Sequence, residues 1–151
     1  MRSYRVVVGI DGSPGGSRAL SWAARQARAH DGSVHAIMVY DWTKAQSALL
    51  GGRSPVQERR RVEEFLTDII VDARRDFPGV PIVAETLPGS AGRALAEAAE
   101  AADLLVVGSH GHRHLHNAVL GSVSEKCVRL ATCPVVIVPA PAAESTADSA
   151  R

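Results

Sequence analysis

His110, His112, His114 and His116 occupy alternate positions in GSHGHRHLHNAVLGSVSEK, the stretch from Gly108 to Lys126. Imidazoles at this density raise metal ligation first. Alternate side chains on an extended chain point the same way but stand ~6.8 Å apart, whereas a zinc ion gathers nitrogens about 2.1 Å from the metal. His110/His114 and His112/His116 have the i,i+4 spacing that serves on a helix, but Gly111 weakens a helix there. No cysteine or acid lies within the run. The second chemistry is phosphate binding. Gly108, Gly111 and Gly121 let the backbone approach a ligand closely or adopt positive φ. Ser122, followed three residues later by Glu125, has capping-box spacing and predicts a helix starting at Ser122. The amides of Val123 and Ser124 would then point out of the helix tip with the positive end of its dipole, which makes an anion site. The dipole alone contributes only ~0.3–1 kcal/mol per charge, and micromolar binding takes about 8 kcal/mol. Several amides, two hydroxyls and a base-binding pocket must therefore act together. The loop is neither GxxxxGK[ST] nor GxGxxG, so no lysine is placed on a transferring phosphate.

The elements that position this loop alternate in type. YRVVVGI (Tyr4 to Ile10) is a nearly continuous apolar run, as in a strand buried on both faces. It ends in DGSPGG, where Ser13 can cap a helix with Pro14 at its first position. Leu20, Ala23, Ala24 and Ala27 form that helix's apolar stripe, and Asp31-Gly32 ends it. SVHAIMVY is a second strand, and DWTKAQSALLGGRSP (Asp41 to Pro55) reads as a long loop. A helix with Val62, Phe65, Leu66, Ile69 and Ala73 inward follows, carrying Arg59, Arg60 and Arg61 on a solvated face. PIVAETL is a third strand, an Ala-rich helix capped by Ser90 comes next, and DLLVVGS is a fourth strand. The helix from Ser122 to about Leu130 leads into a last strand, PVVIV. Helices between buried strands predict an α/β domain, an open parallel sheet with helices on both faces. Ligands of such sheets sit beyond the carboxyl ends of the strands, where strand order reverses. If the fourth strand lies beside the first, DGSPGG and the histidine loop face each other there.

Gly108, Gly111, Gly121 and Ser122 fit the pattern G-x2-G-x9-G-[ST], and with it the chain resembles the ATP-binding type of the universal stress protein family. VVVGIDGSPGGSRAL at the start and SEKCVRLATCPVVIV at the end are similar to that family in the same order. The resemblance implies five parallel strands in the order 3-2-1-4-5, in a Rossmann-like, adenine nucleotide alpha hydrolase-like fold. It also implies a homodimer through the last strand, Val135 to Val138, whose apolar edge invites pairing. Bound ATP with Mg2+ is implied too: Gly108, His110, Gly111, Gly121, Ser122, Val123 and Ser124 would line the ribose and phosphates. Asp11 would sit at the nucleoside end with Ile10, Gly12 and Ser13 nearby, and Val39 would meet the adenine. Arg113, the only Lys or Arg inside the loop, completes the binding residues. The loop interior departs from the family in its wealth of histidine.

Composition sets the remaining expectations. The 151 residues are 46% hydrophobic and 22% charged, with a net charge of +1. That balance suits one globular domain over 1–140, with 141–151 as a disordered Ala/Pro/Ser-rich tail. It argues against nucleic-acid or membrane-surface partners. No apolar run reaches signal-peptide or membrane-spanning length, so a cytoplasmic protein is expected. Cys127 and Cys133 form no CxxC pair and read as reduced thiols. The expected function is nucleotide-dependent regulation in a stress response, with an adenine nucleotide and a regulatory protein of unknown identity as partners. A slow ATPase and a metal-handling protein are the alternatives. Without a P-loop lysine or an arginine finger, little or no turnover is expected and no catalytic residue is assigned.

Overall fold

The computed structural model describes residues 2–41, 54–110 and 120–139. The elements are β1 (Arg5–Gly9), α1 (Pro14–Ala29), β2 (Ser33–Tyr40), α2 (Pro55–Asp76), β3 (Ile82–Pro88), α3 (Ala91–Ala98), β4 (Leu104–Gly108), α4 (Ser122–Leu130) and β5 (Val135–Val138). The sheet runs β3-β2-β1-β4-β5 and every pairing is parallel. This is the architecture the resemblance implies. β1 is central because it can be buried on both faces, as Val6, Val7 and Val8 are. Strand alternation sends Val6 and Val8 into one apolar layer with α1 and α2, and Val7 into a second layer with Leu95 of α3 and Cys127 of α4. The chain steps outward from β1 through β2 to β3, then returns to β4 on the other side. Strand order therefore reverses between β1 and β4.

Small residues set how closely α1 approaches the sheet. Ala19, Ala23, Ala24 and Ala27 are fully buried around Leu20. Ser13 caps this helix as expected, accepting from the Gly16 N–H, with Pro14 in the first turn. The start of α2 is sharper than the loop reading suggested. Ser54 and Gln57 form a reciprocal capping box, with Pro55 in the first turn. The buried stripe of α2 is Val62, Leu66, Ile70 and Ala73. Phe65, expected inside, is 45% exposed, and Ile69 only borders the core. A stripe advancing by four, four and three residues centres one step past Phe65, and Ile70 takes the inward place. Arg59 and Arg61 pair along the outer face with Glu63 and Glu58, at 2.8 and 2.6 Å. Ser90 is the N-cap of α3, but its side chain makes no capping bond. Among the described residues no helix is long and apolar enough to cross a membrane.

Neither cysteine is in a disulfide, and the two differ in environment. The Cys127 thiol is wholly buried between α3, α4 and the sheet, and desolvation pushes its pKa up to about 11. Cys133 is half-buried. Partial burial raises the Cys133 pKa as well, so both thiols hold little thiolate at pH 8, and full burial adds a barrier to reagents at Cys127 alone. Native protein treated with a thiol-specific reagent at pH 8 should modify Cys133 alone, with Cys127 reacting only after denaturation. Two fast thiols in the native state would contradict this packing.

Candidate functional site

β1 ends in a turn that its own side chains tie down. Ile10 continues the ladder one residue past the strand, its N–H donating to the Ile37 carbonyl at 2.9 Å. Gly12 then takes φ 83°, a left-handed conformation that glycine adopts without a Cβ penalty. The Asp11 Oδ1 atom accepts from the Ser13 N–H at 2.9 Å and from the Ser13 hydroxyl at 2.5 Å. Ser13 Oγ in turn accepts from the Gly16 N–H at 3.2 Å. The carboxylate therefore lies over the positive end of α1, where a negative charge is stabilised. A Cβ on Gly16 would stand 2.9 Å from Asp11 Oδ1, so glycine makes room for that carboxylate.

The loop after β4 meets this turn. A Cβ on Gly108 would lie 3.1 Å from the Gly15 carbonyl carbon, and one on Gly15 would lie 3.2 Å from the His110 oxygen. The two loops face each other across the switch point because β1 and β4 are paired. Beyond the loop, the start of α4 differs from the capping-box expectation. The N-cap is Gly121, with φ −70° and ψ 167°, and no side chain caps the helix. Ser122 is the first helical residue. The Glu125 N–H makes the first helical bond, to the Gly121 carbonyl at 3.0 Å, while the Glu125 carboxylate pairs with Arg129 instead of folding back. The chain turns at Gly121 because the Gly121 N–H is held by the Ser109 carbonyl at 2.6 Å. The early amides of the helix, which have no intrahelical acceptor, are thus left without a side-chain cap, at the mouth of a cleft.

That cleft has a volume of about 400 Å³, within the range of small-molecule sites. Of the predicted residues, Ile10, Asp11, Ser13, Val39, Gly108, His110, Gly121, Ser122, Val123 and Ser124 line it. Gly12 shapes the turn without lining the cavity. Gly111, Arg113 and the other loop histidines lie outside the described residues, as do most of the Asp41-to-Pro55 stretch and the tail. The His110 ring rests with Nδ1 3.2 Å from the Ser109 hydroxyl. The Ser124 side chain is only 2% exposed, and its hydroxyl donates inward, to carbonyl oxygens.

The cleft is also lined by residues absent from the sequence-based list: Gly9, Gly16, Ile37, Ala91, Leu95 and Val107. Ile37 precedes Val39 by two and shares its face of β2, so strand alternation brings it to the cleft with Val39. Gly9 stands opposite Ile37 in the ladder. A Cβ there would come 2.6 Å from Leu95 Cδ1, so this glycine admits the leucine that walls the cleft. Nothing in the sequence pattern singled out Leu95 or Ala91 on α3. The result is a two-ended site, apolar where β1, β2 and α3 meet and rich in amides and hydroxyls where α4 begins.

Comparison with known proteins bears on this arrangement directly. The model of the universal stress protein family matches residues 3–139. The chain belongs to that family. A universal stress protein of Mycobacterium tuberculosis is 31% identical over 132 residues, covering 87% of this chain and 44% of the relative. The chain spans about half the length of the curated relatives it matches. A universal stress protein solved in complex with cAMP superposes with a TM-score of 0.69 at 26% identity, covering 93% of this chain and all of that one. A universal stress protein of Archaeoglobus fulgidus in complex with dAMP has a TM-score of 0.67 at 22% identity over 91% of this chain and 99% of its own, a likeness of fold.

Proposed function

We propose that this universal stress protein binds ATP in the cleft between β1, β4 and α4 and acts as a nucleotide-dependent regulator. The observation that carries the reading is the start of α4, whose first amides carry no side-chain cap and face a cleft with an apolar far end. Phosphate oxygens suit such a helix tip. A base suits the wall of Gly9, Ile37, Val39 and Leu95. Asp11, at the rim of the first loop, suits the ribose side. The solved relative with cAMP supports an adenine ligand of the same general class.

Magnesium fits as an ion carried by the nucleotide. Among the described residues no group of three or more His, Cys, Asp or Glu could hold a resident metal. Mg2+ commonly keeps its waters and is held by phosphates plus one or two carboxylates. Asp11 is the one described carboxylate lining the cleft. The reading is of binding and not of turnover, since no Lys or Arg is among the described lining residues to stabilise a transferring phosphoryl group.

The regulatory part of the proposal is that bound ATP alters a surface beyond the carboxyl ends of β2 and β4, which a protein partner reads. The protein acts in the cytoplasm as a homodimer joined through β5, the half-buried edge Val135–Val138 of the sheet. Mass spectrometry of small molecules released from freshly purified protein, followed by calorimetric titration, tests the ligand. ATP should be present or should bind with a Kd in the micromolar range, about 8 kcal/mol. Absence of binding by ATP, AMP and cyclic AMP alike at millimolar concentration would overturn the proposal.

A further inference from the structure

We infer that Ser124 is a positioning residue that makes the cleft select phosphate-bearing nucleotides over nucleosides. The inference rests on the nucleotide reading above and goes further by assigning the selectivity to a residue that need not touch the ligand. Ser109 is the fixed point. Its N–H donates to the Val138 carbonyl at 2.9 Å, which anchors it to the end of β5. Its carbonyl accepts the Gly121 N–H at 2.6 Å. The same carbonyl accepts the Ser124 hydroxyl at 3.0 Å, and that hydroxyl lies equally close, 3.0 Å, to the Gly121 carbonyl. One buried proton is thus shared between the end of β4 and the start of α4, across the base of the loop that separates them.

A hydroxyl has a single proton to donate. With it engaged on these two carbonyls, the Ser124 side chain is not a donor for phosphate. Its effect is on geometry. It holds the tip of α4 at a fixed distance from Gly108 and His110 before any ligand arrives, so the Ser122 and Val123 amides need no reorganisation to receive an anion. Without the hydroxyl, the amides remain and α4 still packs on α3 through Cys127, but one of the two hydrogen bonds that join the Ser109 carbonyl to the start of α4 is lost. The apolar end of the cleft, at Gly9, Ile37, Val39 and Leu95, is built by other elements and keeps its shape.

The test is calorimetric titration of wild type, Ser124→Ala and Ser124→Thr with ATP–Mg2+ and, separately, with adenosine. Ser124→Ala should weaken ATP about tenfold and leave adenosine within about twofold, the scale of one lost hydrogen bond. Ser124→Thr, which keeps the hydroxyl, should restore most of the ATP affinity. An alanine variant that binds ATP like wild type, or that loses both ligands by one common factor, overturns the inference while leaving the nucleotide reading in place. Wild type that binds neither ligand overturns both. Should the alanine variant fail to fold, Ser124→Cys decides, since a thiol fills the same place but is a weak donor. The cysteine variant should weaken ATP several-fold and spare adenosine, and wild-type affinity for ATP in it would overturn the inference.

Discussion

Replacing Gly121 by valine should weaken ATP binding by two orders of magnitude or more, roughly 3 kcal/mol, in a protein that still folds. The backbone at Gly121, φ −70° and ψ 167°, is ordinary extended geometry that valine adopts readily. Its N–H can still reach the Ser109 carbonyl, so the turn into α4 survives. Valine is a poorer N-cap than glycine, a cost of about 1 kcal/mol, or roughly 3 °C in melting temperature for a chain of this size. The ligand meets a different obstacle. A branched side chain at the N-cap occupies the space through which phosphate must approach the Ser122 and Val123 amides. Affinity should fall by at least about a hundredfold, close to 3 kcal/mol. Calorimetric titration alongside a thermal melt checks both halves. A folded variant with wild-type affinity would place the phosphates elsewhere.

Leu66→Ala should give the opposite pattern, a large loss of stability with little loss of binding. Leu66 is 1% exposed and sits in the layer where α2 covers β2 and β3. Truncation removes buried methyl groups and leaves a cavity that a helix of this length closes only in part. A cost of about 3 kcal/mol is expected, which lowers the melting temperature by roughly 10 °C. The cleft lies against the other apolar layer, with Ile37, Leu95 and Val107, so ATP affinity should stay within about twofold. Scanning calorimetry with and without ATP reads both. A stability loss below about 1 kcal/mol would mean that the stripe on α2 does not carry core packing.

The two variants separate what was legible in the sequence from what was not. Continuous apolar runs such as RVVVG and LLVVG announce strands buried on both faces, and the glycines at 108 and 121 bracket a loop with a helix behind it. Those features are local, and the parallel sheet and most of the cleft's polar end follow from them. The misplaced details are those set by tertiary contacts. Phe65 and Ile70 both fit a helical stripe, and only the angle at which α2 meets the sheet chooses between them. Ser122 has the spacing of a cap because serine caps helices, and the helix does start at Ser122, but the Ser109 carbonyl holds the Gly121 N–H and the cap position falls to Gly121. Leu95 and Ala91 come from an element remote in the chain, and no spacing rule brings them to Gly9. The glycine cap of α4 strengthens the functional reading, because it leaves the tip open where a serine cap would have used one of its amides.

Phosphate resting on the main-chain amides where α4 begins would be visible in a crystal structure of the protein with ATP and Mg2+. Phosphate oxygens within hydrogen-bond distance of the Ser122 and Val123 N–H groups, with the base against Ile37, Val39 and Leu95, are the predicted result. Nucleotide bound with that helix tip empty would contradict it.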